Sequence, residues 1–440
     1  MSRLAELAGV LPPGACDIDG QLAIGGVRLG DLASEHGTPL HVYDEDALRT
    51  ALSEVAAGLE SYPGRFRIAY ATKAFAARAM LELVAAGGHG ADVASEGELA
   101  VALAAGMDPA LLVVHGNAKT PAQLRAAVGA GAGLVVVDSI GELDQLAATA
   151  AAAGRRQAVL LRVTPGIDAD THAAIRTGHD GSKFGIPPRE VRAAWAGAGR
   201  WPSLLLQGIH LHVGSQLLDP GTFEVAARWA ASFSQQLAEA GPDVTTLDMG
   251  GGLGIAYLPG AAAPSPRAWA ASVATAVAQG FQEAGLALPE LVVEPGRCIA
   301  GRAGVTLYAA CSTKEVPGRR IVGVDGGMSD NPRPMLYGAR YTCVPVSEPA
   351  PGVPTRSWTV AGMHCESGDE LIPSVEITDP AVGDVLAIPA SGAYGHSMAS
   401  SYNLQLRAPV VFVSEGRARL VVRRETIEDL LARELSRSPI

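Results

Sequence analysis

The chain has no surplus of positive charge. Its 440 residues carry 34 Lys and Arg against 45 Asp and Glu, a formal net charge of −11. A general nucleic-acid binder or a basic membrane-surface protein needs a cationic face, so neither partner is expected. An anionic small ligand, which needs only a local positive pocket, stays open. Long apolar runs are also missing, since Gly, Arg, Asp or Glu interrupts each alanine-rich stretch before it reaches membrane-spanning length. The opening "MSRLAELAGVLPPGACDIDG" lacks an apolar segment followed by a small-residue cleavage site, so no secretory leader is expected. Cysteine is scarce. The five residues Cys16, Cys298, Cys311, Cys343 and Cys365 are odd in number, irregularly spaced and without a C-x-x-C pair, which argues against a zinc site or a redox motif. No metal is expected. A reducing cytoplasm is the simple reading, with most of the thiols as inert core residues.

What is present is a globular composition, 48% hydrophobic and 18% charged. A chain of this length exceeds one ordinary core, so one large and one smaller domain are expected. From residue 66 to about 296 one pattern recurs: a short apolar, β-branched run ends in polar or glycine residues, and an alanine-rich helical stretch follows. The runs are "FRIAYATK", "GGHGADVAS", "LLVVHGN", "GLVVVDS", "AVLLRVTPG", "LQGIHLHVGS", "VTTLDMGGG" and "ELVVEPGR". In "LELVAAGGHG" and "AVGAGAGLVVV" a glycine takes the left-handed position that ends a helix. Strands alternating with helices predict a parallel sheet, and eight of them predict a closed (β/α)8 barrel of the TIM type. After residue 300 the helical pattern stops. Short runs such as "VTLYAACSTKEV" and "GDVLAIPASGAY" predict a second, β-rich domain, a small barrel or sandwich. The barrel is assigned to 41–300. The β-rich domain is assigned to 1–40, with one strand-like piece, plus 301–440.

Active sites of such barrels lie at the C-terminal ends of the strands. Polar residues collect there: Lys73, Asp92, His115, Asn117, Asp138, His212, Ser215, the glycines 250–252, Glu294 and Arg297. A lysine at a strand end is ordinarily a solvated side chain. Its place among these residues favours another reading, an amine that forms a covalent imine with a carbonyl compound. "DMGGGLGI" and "EPGR" follow the seventh and eighth strands, where glycines let backbone N–H groups approach a phosphate. His210 and His212 share a strand face, so an imidazole can stack on a flat ring. Glu294 can hold a pyridine nitrogen protonated through a charge-assisted hydrogen bond.

Ten ordered motifs carry a resemblance: "YATKA", "DVASEGEL", "HGNAK", "RTGHDGSKFGI", "HLHVGSQ", "GGGLGI", "EPGR", "VDGGMSDNPRPMLYGA", "CESGDEL" and "GDVLAIPASGAYG". From "TPLHVYD" to "GAYGHSMASSYN" the chain resembles the fold-type III, pyridoxal-phosphate-dependent amino-acid decarboxylases, and within them the diaminopimelate decarboxylases. The resemblance implies pyridoxal 5'-phosphate bound through Lys73. It implies further cofactor contacts from Asp92, His212 (stacked on the ring), Ser215, Gly252, Glu294, Gly296, Arg297 and Tyr394. Cys365 resembles the proton donor, reaching the site from the other subunit of a homodimer with shared active sites. Arg297, Arg333, Tyr337, Glu366 and Tyr394 match substrate-binding positions. The implied reaction is decarboxylation of meso-2,6-diaminopimelate at its D-centre to give L-lysine, the last step of lysine biosynthesis.

The pattern departs from the family in four places. "CESGDEL" runs on into "IPSVEITD" where the family usually has an aspartate–arginine pair. "LQLRAPVVFV" keeps only Arg407 of an arginine-rich stretch. Glu96–Gly97 stands where a double glycine is usual, and Met363 where proline is common. A decarboxylase of D-lysine, D-ornithine or another diamino acid in a specialised pathway is therefore the alternative. A non-catalytic cofactor-binding barrel would lack the second domain and "CESGDEL". An alanine racemase would need a tyrosine acid/base in place of the "CES" segment. The polar, glycine-bearing residues 175–185 are the candidate for a loop that closes over the site.

Overall fold

The computed structural model describes residues 3–165 and 183–435. The polypeptide divides into two compact units, one formed by residues 51–255 and 263–298, the other by 1–50, 256–262 and 299–440. In the first unit, eight parallel strands form a closed barrel in sequential order: Phe66–Ala71 (β1), Gly90–Val93 (β2), Leu112–Val114 (β3), Leu134–Val137 (β4), Gln157–Arg162 (β5), Leu204–His210 (β6), Thr246–Asp248 (β7) and Glu290–Val293 (β8). The eight runs expected from the sequence are these eight strands. The helices that follow β2, β3, β4 and β7 begin at side-chain caps, among them Ser95 accepting from the Glu98 N–H and Thr120 forming a capping box with Gln123. Gly88 and Gly131 take the left-handed conformation expected of them, at φ 75° and 78°.

The strand period of two places the site. Ala69, Val113, Leu134, Val136, Leu160 and Val292 form a buried apolar cluster within the barrel. Two residues further along the same strands, on the same face, stand His115, Asp138, Arg162 and Glu294. Alternation thus places a polar layer above an apolar plug, at the C-terminal end of the barrel.

In the second unit the long strand Gly304–Val316 is central. It pairs with Arg319–Val324, Val385–Ile388 and Leu40–Asp44. Leu40–Asp44 also pairs, in parallel, with Val410–Ser414. This strand therefore lies in the β-rich sheet rather than in the barrel. The hairpin of Thr355–Ala361 and Glu370–Thr378 extends the same sheet, and Tyr308, Val322, Trp358, Leu371, Leu386 and Ile388 pack its core. The N-terminal region forms three short strands, Cys16–Ile18, Gln21–Ile24 and Val27–Arg28, where the sequence pattern shows one. Runs this short carry too little alternation to register.

Cys298 and Cys343 are buried, but Cys311 and Cys365 are exposed and Cys16 is half-buried, so most are not core residues as expected. Among the described residues, no helix is long and apolar enough to cross a membrane.

Candidate active site

Lys73 lies in a short 3-10 turn, Thr72–Ala74, directly after β1. The Thr72 hydroxyl donates to the Asp92 carbonyl at 2.7 Å, which locks the turn against β2. The Lys73 ammonium donates to Asp92 Oδ2 at 2.9 Å, and its side chain is 48% exposed while Asp92 is buried. Asp92 Oδ1 is buried without a hydrogen-bond partner among the described residues and stands 3.9 Å from His115 Nε2. A reachable amine thus sits beside a sequestered carboxylate with unused acceptor capacity.

Deeper in the barrel, His115, His210, Asp248 and Glu294 meet, all buried, with one polar atom from each within 4.8 Å of the others. His115 donates to Glu294 Oε1, and His210 Nε2 faces Oε2 at 3.4 Å. The two imidazoles stand edge to face, their centroids 4.8 Å apart. Burial alone would raise the Glu294 carboxyl, but His115 and His210 overcome it and hold the group well below the usual carboxylate range. Asp248 goes the other way: burial, with Glu294 beside it, pushes it well above that range. One carboxyl keeps the charge and the other the proton, as expected of two acids sharing a dry site. Burial holds His210 down to about 4. Glu294, His210 and His115 stood out in the sequence; Asp248 did not, because the run "DMGGGLGI" was read for its glycines.

The turns after β6, β7 and β8 form a backbone cradle. A side chain on Gly251 would overlap the Glu294 carbonyl, and one on Gly252, at φ 115°, would stand 2.5 Å from the Gly214 carbonyl. A side chain on Gly296 would press on Ala71 at 2.9 Å. Arg297 donates to the Ser215 hydroxyl at 2.8 Å, bringing a cation and a hydroxyl together. His212 follows β6; burial, with Lys73 nearby, pushes its imidazole down to about 3. Lys119, in "HGNAK", was not singled out. Its buried ammonium donates to the carbonyls of Gly116 and Val136 and to Glu142 at 2.6–2.7 Å. Of the loop expected to close the site, residues 175–182 lie outside the described residues. At its end the Gly185 N–H donates to Asp138 Oδ2 at 3.1 Å.

In the β-rich unit, Cys365 and Glu366 are exposed on the loop between Thr355–Ala361 and Glu370–Thr378. The Tyr402 hydroxyl donates to Glu366, and the Cys365 N–H donates to Asn403 Oδ1 at 3.3 Å. Arg333 is buried, its guanidinium 4.8 Å from the Tyr257 ring, and it donates to the Tyr341 hydroxyl. Tyr337 is 67% exposed. Half-buried Tyr394 adopts φ 63°, a conformation that costs a non-glycine residue energy and recurs at functional sites.

The barrel residues fit a phosphorylated pyridoxal. The exposed amine suits its aldehyde, the cradle with Arg297 and Ser215 suits its phosphate, and the ionised Glu294, whose oxygens can each accept a second hydrogen bond, suits its ring nitrogen. Fold and site together define a barrel-type, pyridoxal-phosphate-dependent decarboxylase. Residues 48–301 match the family described as pyridoxal-dependent decarboxylase, pyridoxal binding domain. The diaminopimelate decarboxylase of Mycobacterium tuberculosis is 44% identical over 99% of this chain and all of its own length. That of Bacillus subtilis is 39% identical over 94% and 95% of the two chains. The crystal structure of diaminopimelate decarboxylase from M. jannaschii in complex with L-lysine superposes with a TM-score of 0.91 at 32% identity, covering 97% and 98%. The chain belongs to the diaminopimelate decarboxylase family.

Proposed function

We propose that this chain, loaded with pyridoxal phosphate, removes the D-centre carboxylate of meso-2,6-diaminopimelate and releases L-lysine and CO2, the last step of lysine biosynthesis, in the cytoplasm. The observation that carries the reading is the Lys73–Asp92 pair at the barrel mouth, in a chain 44% identical to a diaminopimelate decarboxylase. The L-lysine bound in a structural relative supports the product.

When bound, the cofactor supplies an electron sink for the pair of electrons left behind by CO2. Lys73 holds it through the amine. Gly252, Gly296, Arg297, Ser215 and Tyr394 bind its phosphate, His212 covers the ring, and Asp92 orients the lysine. Glu294 serves the ring nitrogen, with His115 and His210 keeping its charge in place. Arg297, Arg333, Tyr337, Tyr394 and Glu366 bind the substrate: the guanidinium fork suits a carboxylate and Glu366 a distal ammonium. Cys365 then donates a proton to the α-carbon, a step typically worth about 10²- to 10⁴-fold. The working unit is a homodimer in which Cys365 serves the other copy's barrel. The exposed apolar side chains of Met335, Leu336, Tyr337, Met363 and Leu404 near the Cys365 loop support a self-association face. Sedimentation at catalytic concentration should find a dimer, and a monomer with full activity would remove that part of the reading.

The departure at "IPSVEITD" keeps a second reading in play, a preference for D-lysine or D-ornithine. Product identification from a panel of diamino acids separates the two. Lysine and CO2 from diaminopimelate at the highest kcat/KM is the expected outcome. Preference for a substrate without a distal carboxylate would overturn it.

A further inference from the structure

The loop that carries Cys365 is anchored by a buried pair with no role in the scheme above. Residues 362–369 join Thr355–Ala361 to Glu370–Thr378, and the Gly362 N–H donates to the Asp369 carbonyl at 2.8 Å where the loop closes. His364 points inward from this otherwise exposed loop, its side chain fully buried. Its Nδ1 donates to Asp369 Oδ2 at 2.8 Å, and its own backbone N–H donates to the same oxygen at 3.0 Å. Asp369 Oδ1 accepts from the Met328 N–H at 2.7 Å, so one carboxylate ties the Cys365 loop to a neighbouring segment. Space around it is reserved by glycine: a side chain on Gly327 would come within 2.5 Å of the carboxylate, and one on Gly362 would overlap it.

The consequence falls on the next residue. The peptide groups on either side of the His364 α-carbon, the second of which leads into Cys365, both have committed N–H donors, that of His364 to Asp369 and that of Cys365 to Asn403. The His364 ring also lies against Tyr402, with centroids 5.8 Å apart and planes 31° from parallel, and Tyr402 holds Glu366. The backbone beneath an exposed thiol is therefore fixed from its buried side. A proton donor needs that fixity, because misplacement by about 1 Å can cost about 10²-fold in rate.

We infer that His364, clamped by Asp369, is a positioning residue that sets the place of the Cys365 thiol. This rests on Cys365 as the proton donor, and a double-mutant cycle on the holoenzyme with diaminopimelate tests both parts separately. His364→Phe keeps the ring against Tyr402 and removes the bond to Asp369. It should lower kcat about tenfold or more while KM and cofactor affinity stay within about threefold. A residue that acts only through Cys365 adds nothing once the thiol is gone. The double variant His364→Phe/Cys365→Ala should therefore be no slower than Cys365→Ala alone. If His364→Phe matches the parent, or if its effect multiplies with that of Cys365→Ala, the inference on His364 falls and Cys365 keeps its role. If Cys365→Ala itself retains the parental rate, the proton-donor reading falls and the inference with it. Should His364→Phe fail to fold, Asp369→Asn enters the same cycle under the same criteria.

Discussion

At Lys73 the proposed chemistry depends on a side chain that is reachable and yet tied to a buried acid. Lys73→Ala should leave no borohydride-stable adduct with the cofactor, no visible absorbance from the bound carbonyl and almost no activity. A variant that still yields the covalent adduct would move the attachment elsewhere. Lys119 makes the opposite use of the same side chain. Burial lowers its pKa against the pull of Glu142, and every donor direction ends on a protein oxygen. Lys119→Met strands Glu142 in a dry interior. It should cost about 3–5 kcal/mol, read as a lower urea midpoint at unchanged slope. Sequence alone set Lys73 apart only by its place among the other strand-end residues and could not separate Lys119 from a solvated lysine, because burial depends on which strands flank it.

At the level of elements, the proposed cradle predicts that the glycine turns set cofactor affinity. Gly252→Ala would force an alanine into φ 115° and against the Gly214 carbonyl. That should cost about 1–3 kcal/mol of local strain. Equilibrium dialysis should show weaker pyridoxal-phosphate binding with little change in the fold's circular dichroism, and unchanged affinity would remove the turn from the cradle. The barrel strands were legible because their period of two and the polar residues at their ends are local signals. The floor of the site was legible only in part. His115, His210 and Glu294 sit in conspicuous runs, whereas their mutual contacts, and Asp248 among them, arise from strands far apart in the chain. Arg333 tells the same story: "RPMLY" marks a short helix, but its packing against Tyr257 joins segments that no window of sequence contains.

For the whole molecule, imidazoles held neutral by burial contribute to the response to acid. His210 and His396 are held down to about 4, and His41 and His212 to about 3, in each case first by burial. The unfolded chain takes up these protons as pH falls through 6.5, the ordinary value, while the folded chain does not until near 3–4. The stability that these imidazoles contribute is therefore fully present above about pH 6.5 and is lost as pH falls towards 4, opposed in part by burial-raised carboxyls such as Asp330, pushed up to about 6. Urea midpoints at about pH 7.5 and about pH 5 should show the drop, and His41→Gln should reduce it. A pH 7.5-to-5 drop that His41→Gln leaves unchanged would remove His41 from this account. The barrel's eight strands could be read from the sequence, but the pairing of Leu40–Asp44 could not, since both its neighbours come from far later in the chain. That placement bears on biosynthesis. The ribosome delivers Leu40–Asp44 early and its flanking strands last, so the nascent polypeptide holds a strand with two bare edges while the barrel segment is still being translated. Such an edge invites mispairing with other chains. Truncated translation products ending before Val410 should accordingly be the species that chaperones must shield.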